Sequence, residues 1–116
     1  MKVVVFSNNT HKLSEMMILL KDFSVEVEGY ASFYGQHIDV DEKGSTFKEN
    51  ARLKVEAMPK REEVIMVADD SGLEVMALEG QPGIHSARYA GPYSTKETLC
   101  QKVLTEMDGK LNRQAR

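Results

Sequence analysis

Two unbroken apolar runs, Val-Val-Val-Phe at 3–6 and Val-Ile-Met-Val-Ala at 64–68, constrain this chain more than any other feature. A strand with one face in water alternates apolar and polar residues, whereas an unbroken run needs cover on both faces. Both runs stop at residues that favour turns and helix caps: Ser7-Asn8-Asn9-Thr10 after the first, Asp69-Asp70-Ser71-Gly72 after the second. Leu13, Met16, Met17 and Leu20 then fall at helical spacing and predict a helix over 10–21. Val25, Val27 and Ala31 alternate with polar residues as a half-exposed strand would. Residues 33–44 have mixed polarity, end in the acidic group Asp39, Asp41 and Glu42, and read as a loop.

Thr46-Phe47-Lys48-Glu49 is a capping box. It opens a helix with Phe47, Ala51, Val55 and Met58 on one face, stopped before Pro59. Leu73, Val75 and Ala77 predict a third strand, running into the turn-rich segment 79–83. Ser94-Thr95-Lys96-Glu97 reads as a second capping box, with Leu99, Cys100, Val103, Leu104 and Met107 inward and Asp108-Gly109 closing the helix. After Leu111 no further apolar strand follows. The pattern predicts a single α/β domain, a mixed sheet with flanking helices and little sheet for so many helices to cover.

Length and charge narrow the function. A chain of 116 residues makes one domain with a modest core. A net charge of −3 leaves no broad basic surface, which argues against nucleic acid as a partner. The lone Cys100 permits no intrachain disulfide and suits a reducing compartment; its helix face predicts core packing. The N-terminal apolar run is too short for a signal peptide, and the run 16–20 cannot span a bilayer, so a soluble cytoplasmic protein with no membrane partner is expected.

Adjacent carboxylates at the end of a buried strand raise each other's ionisation cost. A divalent metal removes that objection, because Mg²⁺ is held by one or two carboxylates together with substrate phosphates. In Asp69-Asp70-Ser71-Gly72 one carboxylate can hold a metal while the other orients or deprotonates a water. The turn Ser7-Asn8-Asn9-Thr10-His11-Lys12 suits an anion at a helix N-terminus, although by spacing alone, with no Walker-type glycine pattern, an ordinary polar cap is the better reading. Glu42, with Asp41, can complete a metal shell or form a solvated charge pair. Arg88 can grip a phosphate or pair with a carboxylate. Glu49 serves its cap, Lys54 most simply points to solvent, and Asn50 is a helix-interior amide that competes with the backbone. His11, His37 and His85 lack metal-ligand spacing, and Met16, Met17, Met58, Met66, Met76 and Met107 read mostly as core fillers.

Four segments in this order resemble the Ham1-type family of inosine/xanthosine triphosphate pyrophosphatases. They are Ser7-Asn8-Asn9-Thr10-His11-Lys12, then Gly44-Ser45-Thr46-Phe47-Lys48-Glu49-Asn50-Ala51 with Lys54, then Ala68-Asp69-Asp70-Ser71-Gly72-Leu73, and finally the stretch from Gly80-Gln81-Pro82-Gly83 through Ser86-Ala87-Arg88-Tyr89-Ala90-Gly91. The resemblance implies Mg²⁺-dependent hydrolysis of non-standard purine nucleoside triphosphates (ITP, dITP, XTP) to monophosphate and pyrophosphate. It implies a two-lobed α/β fold and a homodimer. Carried over by position, Ser7, Asn8, Asn9, Thr10, His11 and Lys12 bind the triphosphate, and Ser71 contacts substrate. Asp70 binds metal and accepts the proton, with Glu42 as the further metal carboxylate and Asp69 beside it in the acidic turn. Arg88 assists at the phosphates.

The likeness covers nearly all of this chain but little more than half of a family member. The Phe-Gly-Tyr-Asp-Pro and Ser-His-Arg segments that help hold base and phosphates in relatives are missing, so the chain is expected to be an N-terminal portion of the fold. Two consequences are expected: self-association or a swapped oligomer through uncovered apolar surface, and weak, poorly selective nucleotide binding with reduced turnover. The alternative is a catalytically inactive nucleotide-binding or assembly module that pairs with a second chain. A Maf-like pyrophosphatase fits the acidic turn and the Ser86-Ala87-Arg88-Tyr89 stretch less well.

Overall fold

Burial is deepest where the first apolar run lies. In the computed structural model, which describes all 116 residues, Val3, Val4, Val5 and Phe6 are each 5% exposed or less. The chain divides into two compact units, Met1–Asp69 and Asp70–Arg116.

In the first unit, β1 (Lys2–Phe6) is the central strand of a three-stranded sheet ordered β2-β1-β3, with β2 at Glu26–Gly29 and β3 at Val64–Ala68. Both pairings are parallel; Val3 is in register with Val27 on one side and with Ile65 on the other. A central parallel strand has no solvent face, and that is the physical reason its sequence does not alternate. Helix α1 spans Thr10–Leu19, α2 Tyr30–Tyr34 and α3 Phe47–Ala57. The core is built from Val4, Phe6, Tyr30 and Met58, with Val55, Met66 and Ala68 packed against it.

Several expectations are refined here. Helix α1 ends at Leu19 instead of 21, and Met17 lies 43% exposed on it rather than inward. Ala31 is not in a strand: β2 stops at Gly29 and α2 occupies the start of the segment read as loop. The cap of α3 is half a box. Thr46 Oγ1 accepts from the Glu49 N–H at 3.1 Å, but the Glu49 carboxylate turns to Ser45, accepting from its N–H at 2.6 Å and its hydroxyl at 2.9 Å. Those bonds, the backbone one foremost, hold the Glu49 carboxyl below its ordinary pKa. Asn50 is the buried polar residue of α3, 1% exposed, and its Oδ1 accepts from the Gly44 N–H at 2.8 Å. A Cβ on Gly44 would lie 2.6 Å from that oxygen, so the loop closes on the helix only with glycine there.

The second unit has no sheet. Its antiparallel pairing, the kind a mixed sheet would have contributed, is confined to two isolated bridges, Glu74 with Pro82 and Val75 with Ala115. The expected strand at Leu73, Val75 and Ala77 therefore reduces to these bridges and passes into a 3-10 turn at Met76–Leu78. Polar residues at the chain end supply the partner through their backbone: Glu74 and Arg116 exchange N–H···O bonds of 2.8 and 2.9 Å. A second 3-10 turn covers Gly83–Arg88, and α4 runs from Lys96 to Met107. Its cap lies one residue later than expected: Thr95 and Thr98 form the reciprocal box, while Ser94 Oγ donates to the Gly91 carbonyl. Asp108 closes the helix and Gly109 follows at φ 75°, a left-handed conformation that a Cβ disfavours. Val75 and Met107 are buried. Cys100 is exposed, contrary to the expected core packing, and borders an apolar groove of about 430 Å³ with Leu99, Val103 and Leu104.

Candidate functional site

The order β2-β1-β3 means that the chain leaves β1 toward one side and later returns to the other. The crevice outside the carboxyl ends of β1 and β3 is thus the point where the winding reverses, where open parallel sheets bind ligands. Two polar turns arrive there. The turn after β1 is self-supporting: the Asn9 N–H donates to Ser7 Oγ at 3.0 Å, and Asn9 Oδ1 caps α1 by accepting from the His11 N–H at 2.9 Å. Asn8, Asn9, Thr10 and His11 are exposed, while Ser7 and Lys12 are half-buried. The turn after β3 begins with Asp69.

Lys12 and Asp69 meet across the crevice, Nζ to Oδ2 at 2.9 Å. With side chains 30% and 43% exposed, such a pair contributes only about 0–1 kcal/mol, so an incoming phosphate competes readily for the ammonium. Lys54 is the residue that sequence reasoning misjudged. Expected in solvent, its side chain is 12% exposed and its Nζ contacts Glu42 Oε1 at 2.9 Å and the Asp69 carbonyl at 3.1 Å. The signal was available: Lys54 lies four residues after the buried Asn50 and so shares its helix face. Through Lys54 the loop bearing Glu42 is tied to the acidic turn, and two lysines and two carboxylates come together at the sheet's carboxyl end. Asn8 is held from the core: the buried Tyr30 hydroxyl donates to its Oδ1 at 2.7 Å. No apolar pattern marked Tyr30 beforehand.

Asp70, half-buried, and Ser71, exposed, open the second unit. Arg88 is exposed at the end of the Gly83–Arg88 turn, its carbonyl accepting from Gly91 N–H at 2.9 Å. In the same unit Ser86 Oγ accepts from the Leu73 N–H at 2.9 Å and donates to the Gly83 carbonyl at 2.6 Å, a structural use of that hydroxyl. The Tyr89 hydroxyl donates to the Glu106 carboxylate, and this bond pushes the phenol up to about 12.

No three His, Cys, Asp or Glu side chains converge to hold a metal ion. A preformed cage is therefore not built into this chain. The donors at the crevice are hard carboxylate oxygens already engaged with exchangeable ammonium groups, which fits Mg²⁺ carried in with a polyphosphate.

The first unit is thus an open parallel α/β unit with paired lysines and carboxylates at its switch point. The chain belongs to the Ham1 family, whose sequence model matches residues 3–116 and so runs through both units. It is 42% identical over 114 residues to a dITP/XTP pyrophosphatase of Staphylococcus aureus (strain MW2), covering 98% of this chain and 57% of the relative. A dITP/XTP pyrophosphatase of Desulfotalea psychrophila is 42% identical over 113 residues, covering 97% of this chain and 50% of that protein. Among solved structures, the Staphylococcus aureus Ham1 protein superposes with a TM-score of 0.81 at 42% identity, covering 99% of this chain and 58% of its own. A HAM1 protein from Coxiella burnetii does so at 0.79 and 39% identity, covering 93% of this chain and 54% of its own. The chain spans little more than half the length of the relatives it matches.

Proposed function

We propose that this chain carries the phosphate-binding and catalytic part of a Mg²⁺-dependent pyrophosphatase for non-standard purine nucleoside triphosphates, acting on ITP, dITP and XTP to give monophosphate and pyrophosphate. The observation that carries the reading is the meeting of Lys12 with Asp69, and of Lys54 with Glu42, at the carboxyl end of the sheet. The names of its relatives support the substrate class.

Residues 7–12 present α1's uncapped N–H groups and the Lys12 ammonium to the triphosphate, and the ammonium exchanges Asp69 for a phosphate oxygen. Glu42, Asp69 and Asp70 would hold the metal. When bound, Mg²⁺ draws charge from the phosphate oxygens and makes an attacking water more acidic. Asp70 accepts the proton of that water, Ser71 contacts the substrate, and Lys12 and Arg88 offset charge on the leaving pyrophosphate. Lys54 keeps Glu42 and the Asp69 turn in register. The work is done in the cytoplasm, where Cys100 stays a free thiol.

The exposed Ile18, Leu19 and Phe23, and Leu104 in the second unit, favour self-association into a homodimer or swapped oligomer, which light scattering tests. A second reading, an inactive nucleotide-binding module that pairs with another chain, is favoured by the engagement of both crevice carboxylates with lysines. One assay separates them. Pyrophosphate release is measured with ITP, dITP, XTP and ATP, with and without Mg²⁺. Release that needs Mg²⁺ and falls about 10²–10⁴-fold in Asp70→Ala supports the enzyme. Binding without release supports the module, and release indifferent to Asp70→Ala overturns the assignment of the base.

A further inference from the structure

Asn8 stands in the turn between β1 and α1, and a side chain from the core reaches out to it. Tyr30 is 1% exposed, its ring stacked on Phe6 with centroids 4.1 Å apart and planes within 7°. Its hydroxyl donates to Asn8 Oδ1 at 2.7 Å and lies 3.1 Å from His37 Nδ1. A phenol has one proton to give. With that proton committed to Asn8, the contact with His37 requires an imidazole protonated on Nδ1, donating to the phenol oxygen. The series His37, Tyr30, Asn8 then runs in one direction, each group donating to the next. Either partner alone would satisfy the buried hydroxyl, so burial does not account for the second bond.

Direction matters because a primary amide offers an acceptor on one side and two donors on the other, and its two orientations differ by a half-turn. An amide oxygen turned toward a phosphate repels it; an amide NH₂ binds it. We propose that Tyr30 is a positioning residue of the anion-binding turn. By donating to Oδ1 it selects the orientation in which Asn8 offers its Nδ2 protons to a polyphosphate. His37 keeps the Tyr30 proton directed at Asn8. Neither Tyr30 nor His37 touches the anion. The proposal rests on reading residues 7–12 as the triphosphate cradle. The cleft beside the hydroxyl, about 440 Å³, includes Asp39 as its one carboxylate, along with Ser7, Thr10 and Leu13.

Tyr30→Phe keeps the stack and deletes only the hydroxyl, and inorganic triphosphate with Mg²⁺ is the probe. By calorimetric titration, Tyr30→Phe weakens triphosphate binding about three- to tenfold, as expected for one neutral hydrogen bond. Asn8→Ala weakens it at least as much, and the double variant Tyr30→Phe/Asn8→Ala binds no worse than Asn8→Ala alone. In the parent protein, triphosphate shifts the Nδ2 proton resonances of Asn8, a readout that needs no variant to fold. Unaltered binding by Tyr30→Phe, additive losses in the double variant, or Asn8 resonances that stay fixed as triphosphate saturates each overturn the proposal. Lys12→Ala separates the two layers. If it weakens binding while Tyr30→Phe does not, only the positioning role falls. If the parent itself binds no triphosphate, the cradle reading falls and takes this proposal with it.

Discussion

The two units of this chain solve the same problem with different materials. Residues 1–69 are organised by a backbone ladder: β1 bonds to a neighbour on each edge, and the side chains of Val4, Phe6, Tyr30 and Met58 close over it. Residues 70–116 have no ladder. They rely on two isolated bridges, two 3-10 turns and one capped helix, with Val75 and Met107 as their buried apolar anchors. The difference teaches that an apolar signal yields a regular strand only where the topology supplies a strand partner along its length. The run at 64–68 had β1 beside it; the segment 73–77 found single bridges only, Glu74 to Pro82 and Val75 to Ala115 at the chain end.

The largest expected effect is in the first unit. Met58, 2% exposed in the core cluster, leaves a void when cut to alanine, and Met58→Ala should destabilise the ladder by about 2–5 kcal/mol. Urea unfolding monitored by amide exchange at β1 measures this; a loss below 1 kcal/mol would mean the core is less tightly organised than its burial implies.

A smaller effect sharpens the contrast from the other side. A chain ending at Asn112 lacks the bonds from Gln114 and Arg116 to Met76 and Glu74, and the Arg113 guanidinium that donates to the Met107 carbonyl at 3.1 Å. At roughly 1 kcal/mol per bond, exchange of the Glu74 and Met76 amides should quicken about five- to thirtyfold, with the β1 amides as internal reference. Protection left intact would show that the chain end contributes nothing to this unit.

The smallest effect is in pH. The Glu49 carboxyl is held low by Ser45, so its contribution is present above the ordinary carboxylate range and is lost as pH falls through its lowered value. Tyr89 has the opposite sense. Raised from 10.0 to about 12 by Glu106, it contributes fully below pH 10 and loses that contribution as pH rises toward 12. Acid should therefore loosen the start of α3 first and alkali the Tyr89 contact with α4. Glu49→Gln should flatten the acid limb and Tyr89→Phe the alkaline one; unchanged limbs in these variants would dissociate the titrations from the contacts.

Local grammar was legible without coordinates. The Thr46 cap, the stop before Pro59, the Asn9 turn and the buried run at 3–6 follow from short-range chemistry and stand. The run at 64–68 is a strand as expected, but an edge strand with Ile65 46% exposed, because an apolar run does not say what covers its second face. The family was legible as well, because its four segments keep their order. Lys54 was misread because a lysine's destination depends on which carboxylate the fold brings within reach. Cys100 was misread because an apolar helix face says which side is greasy without saying what covers it. The α4 cap slipped by one residue because Ser94 and Thr95 are equally able caps, and Ser94 found the Gly91 carbonyl instead.

The amino-acid order alone determined the α/β class, the strands at 2–6 and 64–68 and which turns carry lysine and carboxylate, since propensity and periodicity act over a few residues. Only the tertiary structure decided that Lys12 meets Asp69, that Lys54 binds Glu42, and that Tyr30 reaches Asn8. These contacts join residues 57, 12 and 22 positions apart, and no local rule links them. The parallel register of β1 with β3 and β2 brings the first and third of these pairs into range, and that pairing is a property of the whole sheet.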